Sequence, residues 1–186
     1  MSSNDLKHTI NTMLTSTERP GMADLLQWMD ENGFYDAPCS GKYHLAVPGG
    51  NAQHAMNVCY NALTIFESFC GDLSPDEYHK KQNSVILCAL LHDLGKTGQF
   101  GKPNYIPDPE TLLYKTNKDL LYVPHEVRSI AIASKYIDLT EEEQFAILHH
   151  NGLYGDLGNA LKGKETPLQM IIHFADLWAS RVTERE

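Results

Sequence analysis

The sequence predicts an all-α fold: a single-domain helical bundle that carries one long irregular loop. Apolar side chains recur at spacings of three and four residues almost throughout the chain, which is the period of an amphipathic helix. No segment shows the alternation of a strand convincingly. The length of 186 residues fits one domain, and the apolar fraction of 42% is typical of globular proteins. We therefore expect one domain over residues 1–186, with its core at about 40–183.

Residues 1–35 are predicted to form an N-terminal helical extension. A polar leader precedes a short amphipathic helix, whose apolar positions are Met22, Leu25, Leu26, Trp28 and Met29. Asn32-Gly33 ends this helix, because glycine is favoured just beyond a helix C-terminus. Residues 36–50 then form a turn-rich loop with two prolines and three glycines.

Two long helices should supply the centre of the bundle. The first spans about five turns from Ala52 to Phe69. Ser74-Pro75-Asp76-Glu77 starts the second, because it combines a capping serine, a proline at the first helical position and a glutamate that completes a capping box. That helix runs through the apolar block Val85–Leu91 to His92-Asp93, and its last half is apolar on all sides. This pattern predicts the central buried helix.

The second half of the chain begins with residues 97–122, an expected irregular excursion that contains three prolines. Loops of this length are usually functional or disordered, and we expect this one to carry substrate specificity. Three helices should follow it, over about residues 124–137, 140–150 and 166–178. Their starts are marked by Pro124, by Thr140 and by Thr166-Pro167.

Charge and hydropathy exclude several functional classes. Fifteen basic against 24 acidic residues give a net charge of −9, which is a poor match for a protein that binds long nucleic acids. The longest apolar run, Val85–Leu91, has seven residues, far fewer than the ~18 of a membrane span. The first ten residues lack the features of a signal peptide, so we expect a cytoplasmic protein. Cys59 and Cys88 lie in apolar segments and are interpreted as core residues of a reduced protein.

Histidines and aspartates occur on successive predicted helices, at positions that should be buried or should adjoin the core. These residues are His54, His92, Asp93, His125, His150 and Asp176. Each of them alone has a simple structural explanation; Asp176, for example, could pair with Arg181. A buried unpaired carboxylate such as Asp93 is costly, however, and must find a cation or hydrogen bonds. One ligand-type residue on each helix is typical of a metal site inside a helical bundle.

This ordered set resembles the HD-domain superfamily of metal-dependent phosphohydrolases. The resemblance spans about residues 40–183 and includes HDLGK at 92–96, the glycine-rich approach at 42–54, AILHHNGLY at 146–154 and HFADLWASR at 173–181. It implies an orthogonal helical bundle. It also implies one metal ion held by His54, His92, Asp93 and Asp176, and a second ion held by Asp93, His125 and His150. His149 is the alternative to His150 and otherwise faces the substrate or supports a ligand.

The donor types indicate the chemistry of such a site. Four imidazoles and two carboxylates suit Fe, Mn, Co, Ni or Zn better than Mg, which prefers oxygen ligands. Two divalent ions about 3.5–4 Å apart lower the pKa of a shared water and clamp both oxygens of an in-line displacement. We therefore expect two transition-metal ions as cofactors.

Several basic residues are candidate substrate contacts. Lys96 should face the same cavity as the metal ligands and act on a phosphate oxygen, although it could also be a solvated lysine at a helix end. Lys42 and His44 lie in the glycine-rich loop before His54, and Arg128 follows His125 by one turn; for each, a plain structural role is about as good an interpretation. The expected partner is a small phosphorylated substrate, best matched by a nucleotide, and the sequence does not indicate an oligomeric state.

Three functions fit these observations. The first is hydrolysis of a phosphoester or phosphodiester, which Lys96 favours. The second is a di-iron oxygenase of the same architecture acting on a C–C or C–P bond, since some relatives in the superfamily have this chemistry. The third is a metal-stabilised sensor without activity, against which the complete ligand set argues.

Overall fold

The computed structural model describes residues 3–69, 73–111 and 113–185. Within these ranges the chain is mostly helical, which confirms the predicted all-α bundle. Its α-helices are α1 (Ser3–Ser16), α2 (Met22–Glu31), α3 (Gly50–Phe69), α4 (Pro75–Leu91), α5 (His125–Ala133), α6 (Glu141–Leu148), α7 (Gly158–Leu161) and α8 (Pro167–Trp178). Two 3₁₀ turns, Leu94–Thr97 and Gly152–Tyr154, and a π-helical segment, Ala179–Thr183, complete the helical structure described. None of the helices in these ranges is both long and apolar enough to cross a membrane.

The helix starts predicted from capping residues are confirmed. Ser74 is the N-cap of α4, Thr140 of α6 and Thr166 of α8. Helix α5 begins directly after Pro124, as expected, but it ends at Ala133, earlier than the apolar spacing indicated. The starts are well predicted because a cap satisfies backbone N–H groups locally, without help from distant residues.

The core lies where α3, α4 and α8 pack together. Every residue of Val85–Leu91 is buried, which confirms α4 as the central buried helix. Helix α1 packs on α3 and α4, and its Leu6, Ile10 and Leu14 belong to the same hydrophobic cluster as these helices. Each such side chain contributes roughly 1.5–3 kcal/mol when it is buried, so the N-terminal extension is part of the core.

The end of α4 is held tightly against α5. The backbone continues from Asp93 into the 3₁₀ turn Leu94–Thr97, so the helix loosens immediately after the His-Asp pair. Gly95 permits this contact, because an added Cβ would lie 2.2 Å from the carbonyl oxygen of His125. Ser129 of α5 donates a hydrogen bond to the carbonyl of His92 at 2.7 Å and accepts one from Gly95 N–H at 2.7 Å.

The segment 97–122 differs from the expected irregular loop. It contains two antiparallel hairpins, β1 (Gly98–Gln99) with β2 (Lys102–Pro103) and β3 (Tyr105–Asp108) with β4 (Leu113–Thr116). The expectation of no strands was therefore wrong here. Strands of two to four residues are too short to show an alternating pattern, and the prolines that suggested a loop are tolerated at the open edges of two-stranded hairpins.

Candidate metal centre

Six side chains from five parts of the fold meet at one point, and α4 supplies the middle of the cluster. His54 comes from α3, His92 and Asp93 follow α4, His125 begins α5, His150 follows α6 and Asp176 lies in α8. We call these six residues the His/Asp cluster. His54, His92, Asp93 and His150 are almost fully buried, while the side chains of His125 and Asp176 are 28% and 16% exposed.

The two carboxylate oxygens of Asp93 face different histidines. Asp93 Oδ2 lies 3.5 Å from His54 Nε2 and 3.4 Å from His92 Nε2. Asp93 Oδ1 lies 3.2 Å from His125 Nε2 and 3.7 Å from His150 Nε2. On the Oδ2 side, Asp176 Oδ1 adds a donor 3.1 Å from His54 Nε2. The cluster therefore consists of two neighbouring donor sets that share one carboxylate.

Hydrogen bonds at Nδ1 orient three of the imidazoles. Nδ1 of His92 lies 2.8 Å from the carbonyl oxygen of Ala89, and Nδ1 of His150 lies 2.8 Å from that of Ile147. Nδ1 of His54 lies 3.0 Å from both carboxylate oxygens of Glu184. Because these oxygens only accept hydrogen bonds, Nδ1 carries a proton, so Nε2 is the atom of each neutral ring that can bind metal. This is the arrangement of metal-binding histidines in proteins.

The spacing of the Nε2 atoms fits bound cations. His54 and His92 approach within 3.4 Å through Nε2, and His125 and His150 within 3.3 Å. In neutral rings protonated at Nδ1, two lone pairs would face each other and repel unless a proton or a metal ion lies between them, and ligands of a tetrahedral ion with bonds of about 2.1 Å lie roughly 3.4 Å apart. Asp93 Oδ1 is buried and has no hydrogen bond. The cluster could therefore hold metal ions.

The pKa values of Asp93 and His150 keep these two side chains in the forms that bind metal. Burial opposes the charge on Asp93, but Lys96, His92 and the nearby His125 outweigh it and hold the pKa of this carboxyl well below its ordinary value. Burial and the nearby His92 lower the pKa of His150 to about 3, so its imidazole is neutral at physiological pH. A carboxylate and a neutral imidazole are the forms that bind metal.

Lys96 lies beside the cluster, as the sequence suggested, but its ammonium group already has a partner. Nζ is 2.6 Å from Asp93 Oδ2 and 3.8 Å from Cys39 Sγ. Burial opposes the charge of Lys96, yet Asp93 raises the lysine pKa well above its usual value. Lys96 is therefore a fixed cation at the floor of the cavity and contacts a candidate metal ligand directly.

A cavity of about 930 Å³ opens above the cluster. The cationic side chains that line it are Lys42, Lys96, Arg181 and Arg185. The imidazole of His44 also lines it. Asp176, His150 and Glu184 also reach its wall. Lys42 and His44 thus lie where the sequence suggested, while the two arginines, from the π-helical segment and the residues after it, were not expected.

Arg128 and His149, two further candidate substrate contacts, do not line this cavity. The guanidinium of Arg128 is buried and donates to Asn104 Oδ1 at 3.0 Å and to the carbonyl of Leu121 at 3.1 Å, so it ties segment 97–122 to α5.

The ring of His149 packs on Phe145, with centroids 4.6 Å apart. Both histidines follow α6, and of the pair only His150 lies near Asp93, with Nε2 3.7 Å from Asp93 Oδ1. The suggested pairing of Asp176 with Arg181 is replaced by the contact of Asp176 with His54.

Sequence reasoning missed Glu184, which is the carboxylate partner of His54. Asn57 holds it in place by donating to Glu184 Oε1 at 2.8 Å. Glu184 is 130 residues from His54 along the chain, and it follows a π-helical segment that changes the helical phase after α8. Glu184 is close to Asp176 in the sequence, but no feature of the sequence indicated that it contacts His54.

Neither a protein-family model nor a curated protein nor a solved structure matches this chain. The fold and the cluster define its class: a mostly helical protein whose buried histidines and aspartates could bind metal.

Proposed function

We propose that this protein is a metal-dependent phosphohydrolase of the HD-domain type, acting on a small phosphorylated substrate such as a nucleotide. The observation that carries the proposal is the position of Asp93, whose two oxygens face separate histidine pairs beneath a cavity lined with basic side chains. The order of the ligands along the chain, with HDLGK at 92–96, supports the same superfamily.

The cluster divides naturally between two ions. His54, His92, Asp93 and Asp176 would hold one, and Asp93, His125 and His150 the other. Imidazole and carboxylate donors fit Fe, Mn, Co, Ni or Zn. Bound ions of this kind supply a water of near-neutral pKa and a clamp for the reacting oxygens. The protein contributes the fixed geometry, because hydrogen bonds at Nδ1 hold the imidazoles in place.

The cavity provides the binding surface for phosphate. Lys42, Arg181 and Arg185 lie along its wall in a chain whose net charge is −9, so phosphate is attracted to this cavity and not to the surface at large. A volume of about 930 Å³ is at the upper end of ordinary small-molecule sites, roughly 300–1,000 Å³, and fits a mononucleotide. Lys96 faces both Asp93 and the cavity, which positions it to neutralise a phosphate oxygen.

The same ligands also support a second candidate, a di-iron oxygenase of this architecture. A third possibility is a sensor in which metal only stabilises the fold. The basic lining favours hydrolysis, because oxygenation at carbon does not need four cationic side chains around its substrate.

Metal analysis and activity distinguish these three functions. The protein is purified anaerobically, its metals are counted, and hydrolysis of bis-p-nitrophenyl phosphate and of a nucleotide panel is measured with Mn²⁺. We expect metal-dependent hydrolysis that Asp93→Asn abolishes together with metal binding, and that Asp24→Asn, on the exposed face of α2, leaves intact. Tightly bound iron with oxygen consumption and no hydrolysis would identify the oxygenase instead. Bound metal with neither activity would identify the sensor.

A further inference from the structure

A second group of potential ligands lies beside His54. Cys39 Sγ is 3.3 Å from His44 Nε2, and His44 Nε2 is 3.8 Å from Glu184 Oε2. Ligand atoms of Cys39, His44 and His54 all lie within 4.8 Å of one another. Cys39 is a fully buried free thiol, and the side chain of Glu184 is 2% exposed.

A closed loop holds the thiol and the imidazole together. Cys39 N–H donates to the carbonyl of Leu45 at 3.1 Å. Within the loop, Ser40 Oγ donates to the carbonyl of His44 at 2.9 Å and accepts from Tyr43 N–H at 2.9 Å. These bonds fix His44 over Cys39, so the two donors need no rearrangement to bind one ligand. Glu184 is anchored by Asn57 through Oε1 and by His54 Nδ1, which lies 3.0 Å from both Oε1 and Oε2.

We propose that Cys39, His44 and Glu184 form a separate binding site for a borderline-soft divalent cation, zinc above all. A tetrahedral zinc ion with a Zn–S bond of about 2.3 Å and a Zn–N bond of about 2.1 Å places sulfur and nitrogen roughly 3.6 Å apart. The observed separation of Cys39 Sγ and His44 Nε2 is 3.3 Å, and that of His44 Nε2 and Glu184 Oε2 is 3.8 Å, against roughly 3.4 Å for nitrogen and oxygen ligands of one such ion. A sulfur, a nitrogen and an oxygen donor suit zinc, whereas the His/Asp cluster contains no sulfur.

The site opens on the cavity, because His44 and Glu184 both line its wall. On binding, Zn²⁺ replaces the thiol proton of Cys39, which leaves to solvent, and the thiolate becomes a ligand. The carboxylate of Glu184 keeps Oε1 on His54 Nδ1, while Oε2 gives up its own contact with Nδ1 and turns to the ion. The ion thereby links the loop 39–45 to the C-terminal residues that follow α8. This cross-link adds positive charge at one side of the cavity and ties two of its walls together.

Cobalt spectroscopy tests the proposal without any measurement of activity. Chelator-treated protein is titrated with Co²⁺ alone, since a thiolate ligand gives cobalt an intense near-ultraviolet charge-transfer band. We expect this band in the wild type and in Cys59→Ser, a matched buried thiol in α3, and its loss in Cys39→Ser. His44→Gln, at a half-buried position, should bind the band-forming cobalt at least tenfold more weakly. Zn²⁺ should displace the band with a stoichiometry of one per chain.

A wild-type protein without the band, or a band that persists in Cys39→Ser, would overturn the proposal and leave the Cys39–His44 contact as a simple hydrogen bond. The result does not depend on the proposed phosphohydrolase. If the His/Asp cluster binds no metal, the band still appears at the first equivalent of cobalt. If the cluster also binds cobalt, the band appears with one equivalent beyond those that the cluster takes up. Circular dichroism of all three variants confirms that they are folded.

Discussion

The imidazole of His54 links the His/Asp cluster to the C-terminal segment of the chain. Its Nε2 lies near His92, Asp93 and Asp176, while its Nδ1 donates to Glu184. Burial opposes protonation of His54, but nearby Cys39 and hydrogen bonds to Asp176 and Glu184 raise its pKa well above the usual value. Carboxylates on both sides of one ring make His54 a strong base and therefore a strong ligand for metal.

Substitution of Glu184 tests whether its contact with His54 strengthens metal binding at the His/Asp cluster. Glu184→Ala should weaken metal binding at the His/Asp cluster by about 10–100-fold, because the ring of His54 loses its orientation and basicity. Glu184→Gln should recover part of the affinity, since its amide oxygen accepts the same hydrogen bond. The measurement is the Mn²⁺ concentration that gives half-maximal binding, with Glu67→Ala on the exposed face of α3 as the control. Equal affinity in all three variants would show that Glu184 does not support the cluster.

The buried thiols outside the site should be chemically inert. Burial raises the pKa of the Cys59 thiol to about 12 and that of Cys88 well above its ordinary value. A thiol is neutral below its pKa, so at pH 8 roughly one Cys59 in ten thousand is the reactive thiolate. We expect neither residue to react with iodoacetamide in the native protein, and both to react in denaturant, as read by peptide mass spectrometry. Native labelling at pH 8 would show that these residues are accessible.

At the scale of elements, the junction of α4 and α5 sets the distance between the two halves of the cluster. Asp93 lies just after α4 and His125 begins α5, and Gly95 lets the two backbones meet. Ser129 ties them by two hydrogen bonds. The side chain of Asp93 reaches His125 because of this close contact, and not because of any feature of α5 alone.

Gly95→Ala tests this junction. The new methyl group would meet the carbonyl of His125 at 2.2 Å and Ser129 N at 2.9 Å, so the helices must separate. We expect a loss of about 1–3 kcal/mol of stability, the usual cost of overpacking, measured by denaturant unfolding. Metal analysis should show a larger loss of the ion held by His125 and His150 than of the other ion. Unchanged stability and metal content would mean that the junction is more pliable than its contacts indicate.

For the molecule as a whole, bound metal should act as a structural cross-link. The His/Asp cluster draws residues from α3, α4, α5, α6 and α8, so ions at this point hold most of the bundle together. A ligand present at 100 times its Kd stabilises the folded state by about 2.7 kcal/mol. At roughly 2–4 °C per kcal/mol for a chain of this size, chelation should lower Tm by roughly 5–10 °C.

Calorimetry with and without EDTA measures this shift. Asp93→Asn should show little response to EDTA, because it lacks the shared ligand, whereas Asp24→Asn should respond like the wild type. An equal shift in Asp93→Asn would place the stabilising metal elsewhere, for which the Cys39–His44–Glu184 site is the first candidate.

The sequence by itself determined six of the helices and the residues of the cluster, but it did not predict α1, whose residues were expected to be a polar leader, or the short α7. Caps such as Ser74 and Thr140 are local signals, and the apolar block Val85–Leu91 alone requires a buried helix. His54, Asp93 and Asp176 stood out because a polar group is costly on an otherwise apolar helix face. These features depend on a few neighbouring residues, so they can be identified without the fold.

The tertiary structure decided which side chains meet. Three contacts depend on how the helices cross and where the loops close. They are the contact of Glu184 with His54, the hydrogen bonds that hold Arg128 to the segment 97–122 and not in the cavity, and the contact of Cys39 with His44. The phase change at Ala179–Thr183 turns Glu184 inward, and no local pattern predicts it. Periodicity specifies which face of a helix is buried, whereas the packing of all the helices together specifies what that face touches.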